Sequence, residues 1–138
     1  MSTQMTITRS EMQKCAQQLL TGTQRIWTFT GTLGAGKTTL VQEMLTTLGV
    51  TGPIVSPTYT YVCIYRLADG RTVYHFDLYR LLTVQDFMHA GFDEYLNDEN
   101  GLCFIEWPEI IESILPQKNV RRVTIEYADS EKRLISFS

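Results

Sequence analysis

The segment from Arg25 to Gly49 constrains this chain more than any other: R-I-W-T-F-T, then G-T-L-G-A-G-K-T-T, then an apolar repeat. Residues 25–30 are largely β-branched and aromatic and run straight into glycine, which reads as a strand entering a tight turn. Leu40, Val41, Met44, Leu45 and Leu48 recur at helical spacing, and Gly49 suits the stop. Between strand and helix, Gly31-Thr32-Leu33-Gly34-Ala35-Gly36-Lys37-Thr38 fits G-x-x-x-x-G-K-[ST] at every fixed position. The glycines permit positive φ and let backbone N–H groups close on a polyphosphate. Lys37 offers a flexible charge to the β- and γ-phosphates, and Thr38 offers a hydroxyl to Mg²⁺. The following helix points its positive end at the anion. Residues 31–39, ending at Thr39, therefore read as a P-loop that holds ATP or GTP with Mg²⁺.

A chain of 138 residues suits one domain with a single core, and no linker rich in Gly, Pro or Ser divides it. Its net charge of −3 supplies no basic field to hold nucleic acid unaided, so contact with RNA is expected to be indirect or confined to a small patch. Cys15, Cys63 and Cys103 are well separated and form no C-x-x-C pair, which fits buried, reduced thiols better than metal ligands. His75 and His89 lack ligand-like spacing, and no zinc site is expected. The N-terminal stretch has no apolar signal core and no run reaches membrane-spanning length, so the expected location is the cytoplasm.

Ser10-Glu11-Met12-Gln13 has the pattern of a capping box, with Ser10 facing Gln13, and opens a helix with Met12, Cys15, Ala16, Leu19 and Leu20 on one stripe. Residues 59–66 and 72–79 read as strands of a hairpin around Asp69-Gly70. Thr83 caps a short helix that Gly91 ends. Leu102-Cys103-Phe104-Ile105 is fully apolar, the mark of a strand covered on both faces. A short helix is expected over 109–115, and strands over 120–127 and 133–137. Arg121-Arg122 read as a solvated strand end, and the tyrosine pairs 59/61 and 74/79 as packing on the sheet.

Two acids are placed to complete a metal shell or act on a nucleotide. Glu106 ends the apolar strand, at the edge where open α/β sheets bind ligands, and Asp77 ends the run Val73–Phe76. Their alternatives are helix caps or surface acids. Thr58, in Ser56-Pro57-Thr58-Tyr59-Thr60, is either a switch-type contact to the γ-phosphate or part of a β-turn stiffened by Pro57.

Four blocks, G-T-L-G-A-G-K-T-T (31–39), S-P-T-Y-T (56–60), Y-H-F-D-L-Y-R (74–80) and E-W-P (106–108), together resemble the TsaE (YjeE) family in order and spacing. The resemblance runs from about residue 10 to 135 and implies a weak, Mg²⁺-dependent ATPase of bacterial tRNA threonylcarbamoyladenosine (t6A) biosynthesis. It further implies stimulation by a complex of TsaB with TsaD, the pair that transfers the threonylcarbamoyl group, and contact with tRNA only through that complex. By block matching, Lys37 and Thr38 bind phosphate and Mg²⁺. Asp77 and Glu106 are the acids needed for activity, Glu106 near the metal. Thr58 faces the γ-phosphate, and Trp107 lies near the partner-facing or nucleotide surface. Thr8, Ser10 and Arg133 border the adenine. One position departs: relatives usually carry an acid where this chain has Thr32. Cradling rests on backbone N–H groups, so binding is expected to survive. Any role of that carboxylate in placing water or meeting a partner stays open. The chain stops soon after its last expected strand, so a C-terminal extension found in some relatives is expected to be absent.

The expected fold is a single P-loop domain over 1–138, a three-layer α/β sandwich with a mostly parallel sheet and an antiparallel hairpin near 59–79. Competing functions are a small-molecule kinase, for which the chain leaves little room for an acceptor pocket and lid, and a nucleotide-sensing adaptor. A GTPase fits least, since no N-K-x-D or T-K-x-D signature occurs.

Overall fold

The computed structural model describes residues 2–138; Met1, the first residue of the expected domain, lies outside them. Seven strands form one sheet in the order β1-β7-β6-β2-β5-β4-β3. The elements are β1 (Thr3–Thr8), α1 (Met12–Leu19), β2 (Ile26–Thr30), α2 (Lys37–Thr47), β3 (Val62–Arg66) and β4 (Thr72–Asp77). They continue with α3 (Val84–His89), α4 (Asp93–Leu96), β5 (Gly101–Glu106), β6 (Val120–Tyr127) and β7 (Lys132–Phe137). The four middle strands β6, β2, β5 and β4 are parallel, and antiparallel strands extend both edges.

Strand alternation sorts the core into two layers. Trp27, Phe29, Leu102, Phe104 and Val73 face α1 and α2, whereas Ile26, Cys103, Ile105, Tyr74 and Phe76 face α3, α4 and the 3₁₀ segment Pro108–Ile114. Burying each large apolar side chain contributes about 1.5–3 kcal/mol. Both faces of the middle strands are covered, so β5 has to be apolar from Gly101 to Ile105. Cys15 and Cys103 are buried free thiols, and Cys63 is half-buried.

Several local expectations shift. The N-terminal cap belongs to Thr8: its N–H and Oγ1 both donate to Glu11 Oε1, at 3.0 and 2.9 Å, and Ser10 sits inside a 3₁₀ turn before α1. β1 was not expected, because Thr3–Thr8 carries only Met5 and Ile7 as alternating apolar residues. β3 begins at Val62 rather than Tyr59, since Tyr61 adopts φ 67° and its N–H closes a turn on the Pro57 carbonyl at 2.9 Å. β4 stops at Asp77, whose carboxylate accepts the Tyr79 N–H at 3.1 Å. Arg121 is no solvated strand end. Its guanidinium donates to the Leu19 carbonyl at 3.1 Å and the Thr21 carbonyl at 3.2 Å, satisfying the open C-terminus of α1. Of the tyrosines read as packing, Tyr59 and Tyr79 are exposed and Tyr74 is buried. Among the described residues, no helix is long and apolar enough to cross a membrane.

Candidate functional site

The loop between β2 and α2 lies at the C-terminal edge of the parallel strands, and the β6–β7 hairpin holds it from behind. Gly31 passes so close to β6 that a Cβ would collide with the Ile125 carbonyl oxygen. Tyr127 donates its hydroxyl to the Gly34 carbonyl at 2.8 Å, and Arg133 Nε donates to the Ala35 carbonyl at 2.9 Å. Thr32 donates to Glu126 Oε2 at 2.7 Å, so a carboxylate stands beside the loop even though the loop has no acid of its own. Gly36 adopts φ 114°, which turns the chain into α2 with Lys37 as its first residue.

A cleft of about 420 Å³ opens over this loop. Leu33, Gly34, Gly36, Lys37, Thr38 and Thr39 line one side; Ser56, Thr58, Asp77, Tyr79, Arg80, Glu106 and Trp107 line the others. The structure thus brings Lys37, Thr38, Thr58, Asp77 and Glu106 into one cavity from four separate stretches of chain. Asp77 and Glu106 are register partners at the ends of β4 and β5. On the strand face toward α2, Thr38 Oγ1 donates to Glu106 Oε1 at 2.7 Å. Behind it, His75 Nε2 lies 2.6 Å from Glu106 Oε2, both residues buried.

Lys37 is only 5% exposed. Its ammonium donates to the Gly31 carbonyl at 2.6 Å and lies 3.8 Å from the centre of the Trp107 ring. Burial holds its pKa below the ordinary lysine value, although Glu106, Glu109 and Asp77 pull the other way. Burial likewise pushes the Asp77 carboxyl up, with Glu106 adding to the rise and the Tyr79 N–H opposing it. Trp107 itself sits at φ 55°, a left-handed conformation costly for a side chain of that bulk.

A second cavity of about 130 Å³ lies on the other side of the loop, lined by Arg9, Met12, Gly34, Ala35, Gly36, Thr39, Glu131 and Arg133. Arg133 lines this cavity. Thr8 and Ser10 do not line it, because their hydroxyls face each other at 3.0 Å and Thr8 also binds Glu11. Sequence reasoning missed His75, Glu126 and Tyr127. His75 was weighed only as a zinc ligand, and Glu126 and Tyr127 meet the loop across more than 90 positions, with no spacing to signal it.

The family model for "Threonylcarbamoyl adenosine biosynthesis protein TsaE" matches residues 6–135. A Haemophilus influenzae protein named tRNA threonylcarbamoyladenosine biosynthesis protein TsaE is 43% identical over 104 residues, covering 75% of this chain and 64% of its own. Proteins of the same name from Synechocystis sp. and Bacillus subtilis are 46% and 37% identical, covering 70% and 82% of this chain. The chain spans 61% and 68% of their respective lengths. The crystal structure of Bacillus subtilis YdiB superposes with a TM-score of 0.71 at 29% identity, over 99% of this chain and 86% of that one. A family match across nearly the whole sequence, joined to this loop, sheet and paired strand-end acids, makes the chain a member of the TsaE family.

Proposed function

We propose that this chain binds Mg·ATP and hydrolyses it as the ATPase of tRNA t6A modification in the cytoplasm, supporting turnover of a TsaB–TsaD transferase complex without transferring the threonylcarbamoyl group itself. The observation that carries the reading is the convergence of Lys37, Thr38, Asp77 and Glu106 in one cleft at the sheet edge. The hydroxyl of Thr38 and the carboxylate of Glu106, 2.7 Å apart, are hard oxygen donors of the kind Mg²⁺ takes alongside phosphate oxygens and water. They are the residues that would hold the ion, which neutralises charge on the phosphates. Lys37, released from the Gly31 carbonyl, serves the β- and γ-phosphates. The smaller cavity beside Arg133 is the place for the base.

Both Glu106 oxygens are engaged, by Thr38 and by His75, which suits a fixed metal-side acid. The Asp77 carboxylate has one oxygen on the Tyr79 N–H and accepts no other hydrogen bond among the described residues, which suits orienting the attacking water. As that water's oxygen bonds the γ-phosphorus, the bond to the bridging oxygen breaks and ADP leaves with the electron pair. Catalysis of this kind is positioning and charge stabilisation. The test is ATP turnover by the purified protein, alone and with TsaB–TsaD. Stimulation by the complex that disappears in Glu106→Ala is the expected result. Tight ATP binding with no turnover in either condition would remove the ATPase and leave a nucleotide-sensing adaptor.

A further inference from the structure

We infer that His75 is a positioning residue whose one polar task is to fix the Glu106 carboxylate, so that the metal-side oxygen is presented to the cleft in a single orientation. The inference rests on Glu106 being the metal-side acid. His75 is 0% exposed, in the middle of β4, between Tyr74 and Phe76, which face the opposite layer. Its ring makes one hydrogen bond, Nε2 to Glu106 Oε2 at 2.6 Å, while Nδ1 is buried with no partner among the described residues.

That orphan atom is informative. A carboxylate oxygen accepts, so the ring meets Glu106 as a donor through Nε2. The ring commits its single hydrogen bond to Glu106 and leaves Nδ1 without a partner among the described residues, which ties its orientation to that carboxylate. Among the described residues nothing else in the core uses the ring's polarity: Val73, on the same strand face, is apolar and fully buried. Glu106 is 2% exposed, and without His75 it would have Thr38 as its sole side-chain donor. Free to rotate about its last torsion, it would offer the metal a smeared pair of oxygens. Partners behind a metal ligand typically carry about 10–100-fold in metal affinity or activity.

The test uses the full chain and binding rather than turnover. Nucleotide affinity is measured with Mg²⁺ and with EDTA, using a non-hydrolysable ATP analogue, and Mn²⁺ binding to the nucleotide complex is followed by its paramagnetic signal. His75→Leu keeps the volume and removes the donor; His75→Gln keeps an N–H at about the reach of Nε2. His75→Leu is expected to cost about 10-fold or more of the metal-dependent affinity. His75→Gln should restore most of that loss, and in a Glu106→Gln background His75→Leu should change little further. Equal losses in the Leu and Gln variants, or an undiminished loss in the Glu106→Gln background, would assign His75 to packing and overturn the inference. Metal-dependent affinity unchanged in His75→Leu would overturn it too. If the wild-type protein binds the analogue equally with Mg²⁺ and EDTA, the metal reading of Glu106 falls first and the inference with it. Should His75→Leu not fold, His75→Asn, whose amide is too short to reach Glu106, replaces it.

Discussion

The two ends of the parallel strands are built on opposite principles. At the end where β5 begins, the polar groups gathered around Asp98 are partnered. Arg25 donates to the Asp98 and Gly101 carbonyls at 2.6 and 3.2 Å. Tyr74 donates to Asp98 Oδ2 at 2.6 Å and stacks on Tyr95 with centroids 4.4 Å apart. The Asn100 N–H takes the other Asp98 oxygen at 3.0 Å. At the end where β5 finishes, Lys37 is buried against a neutral carbonyl and His75 strands a nitrogen. Asp77 is pushed up by burial, and Trp107 is left-handed. One end is stabilised by satisfied pairs, and the other stores unmet polarity where a polyphosphate would meet it.

The sharpest way to break this contrast is Asp77→Asn. If Asp77 orients water in a preorganised site, the variant loses about 100-fold or more in ATP turnover. Affinity for a non-hydrolysable analogue should stay near wild type, as equilibrium titration would read it. Loss of binding with turnover per bound ATP unchanged would reverse the assignment. At the other end, Asp98→Asn should leave turnover per folded molecule alone.

The residues at the loop end, though not the contrast itself, are legible in the sequence for a physical reason. The loop, Lys37, Thr38, Asp77 and Glu106 announce themselves because strand ends and glycine turns are local and carry their own residue preferences. The middle of the sheet followed from the apolar run at 102–105. What did not follow is long-range. Nothing in the spacing says that Glu126 meets Thr32, that Tyr127 meets the Gly34 carbonyl, or that Arg121 closes α1, since register between distant strands is settled by the whole core. β1 escaped because an edge strand of alternating threonines needs few apolar residues. The contact of His75 with Glu106 has no sequence signal either, because its partner is a single acid on the neighbouring strand, 31 positions away.

The next largest effect compares two glycines. Gly31, at φ 146°, lies so near β6 that a Cβ would meet the backbone oxygen of Ile125, and no flexible side chain is there to give way. Gly31→Ala is expected to weaken nucleotide binding about 10-fold or more, because the loop must shift off its support. A Cβ at Gly101 would lie 2.8 Å from Tyr74 Cε2 and 3.1 Å from the Asp98 carbonyl oxygen. Gly101→Ala should cost about 1–3 kcal/mol of stability by overpacking, with nucleotide affinity unchanged. Denaturant unfolding and calorimetric titration of both variants separate the outcomes. Equal loss of affinity at the two sites would mean that the ends are mechanically coupled rather than independent.

The smallest effect is also the most discriminating, because its sign differs between the ends. Asp77 has its pKa raised chiefly by burial, so its contribution to stability is present below the ordinary carboxylate value of about 4 and lost as pH rises through its folded value. At pH 7 the charged Asp77 therefore burdens the fold, and Asp77→Asn should melt higher than wild type. Asp98 has its pKa lowered, first by the Tyr74 hydroxyl and then by the Asn100 N–H. Its contribution is present above about 4 and disappears as pH falls through its depressed folded value. Asp98→Asn should accordingly melt lower than wild type at pH 7, and both differences should close in acid. Tyr74→Phe sharpens the second half, because it should raise the Asp98 pKa toward the ordinary range in a carboxyl NMR titration. Melting curves from pH 3 to 8 showing the same sign for both asparagine variants would erase the distinction between a strained end and a satisfied one. Opposite signs would locate the cost of function at the Asp77 edge and its structural counterweight at the Asp98 edge.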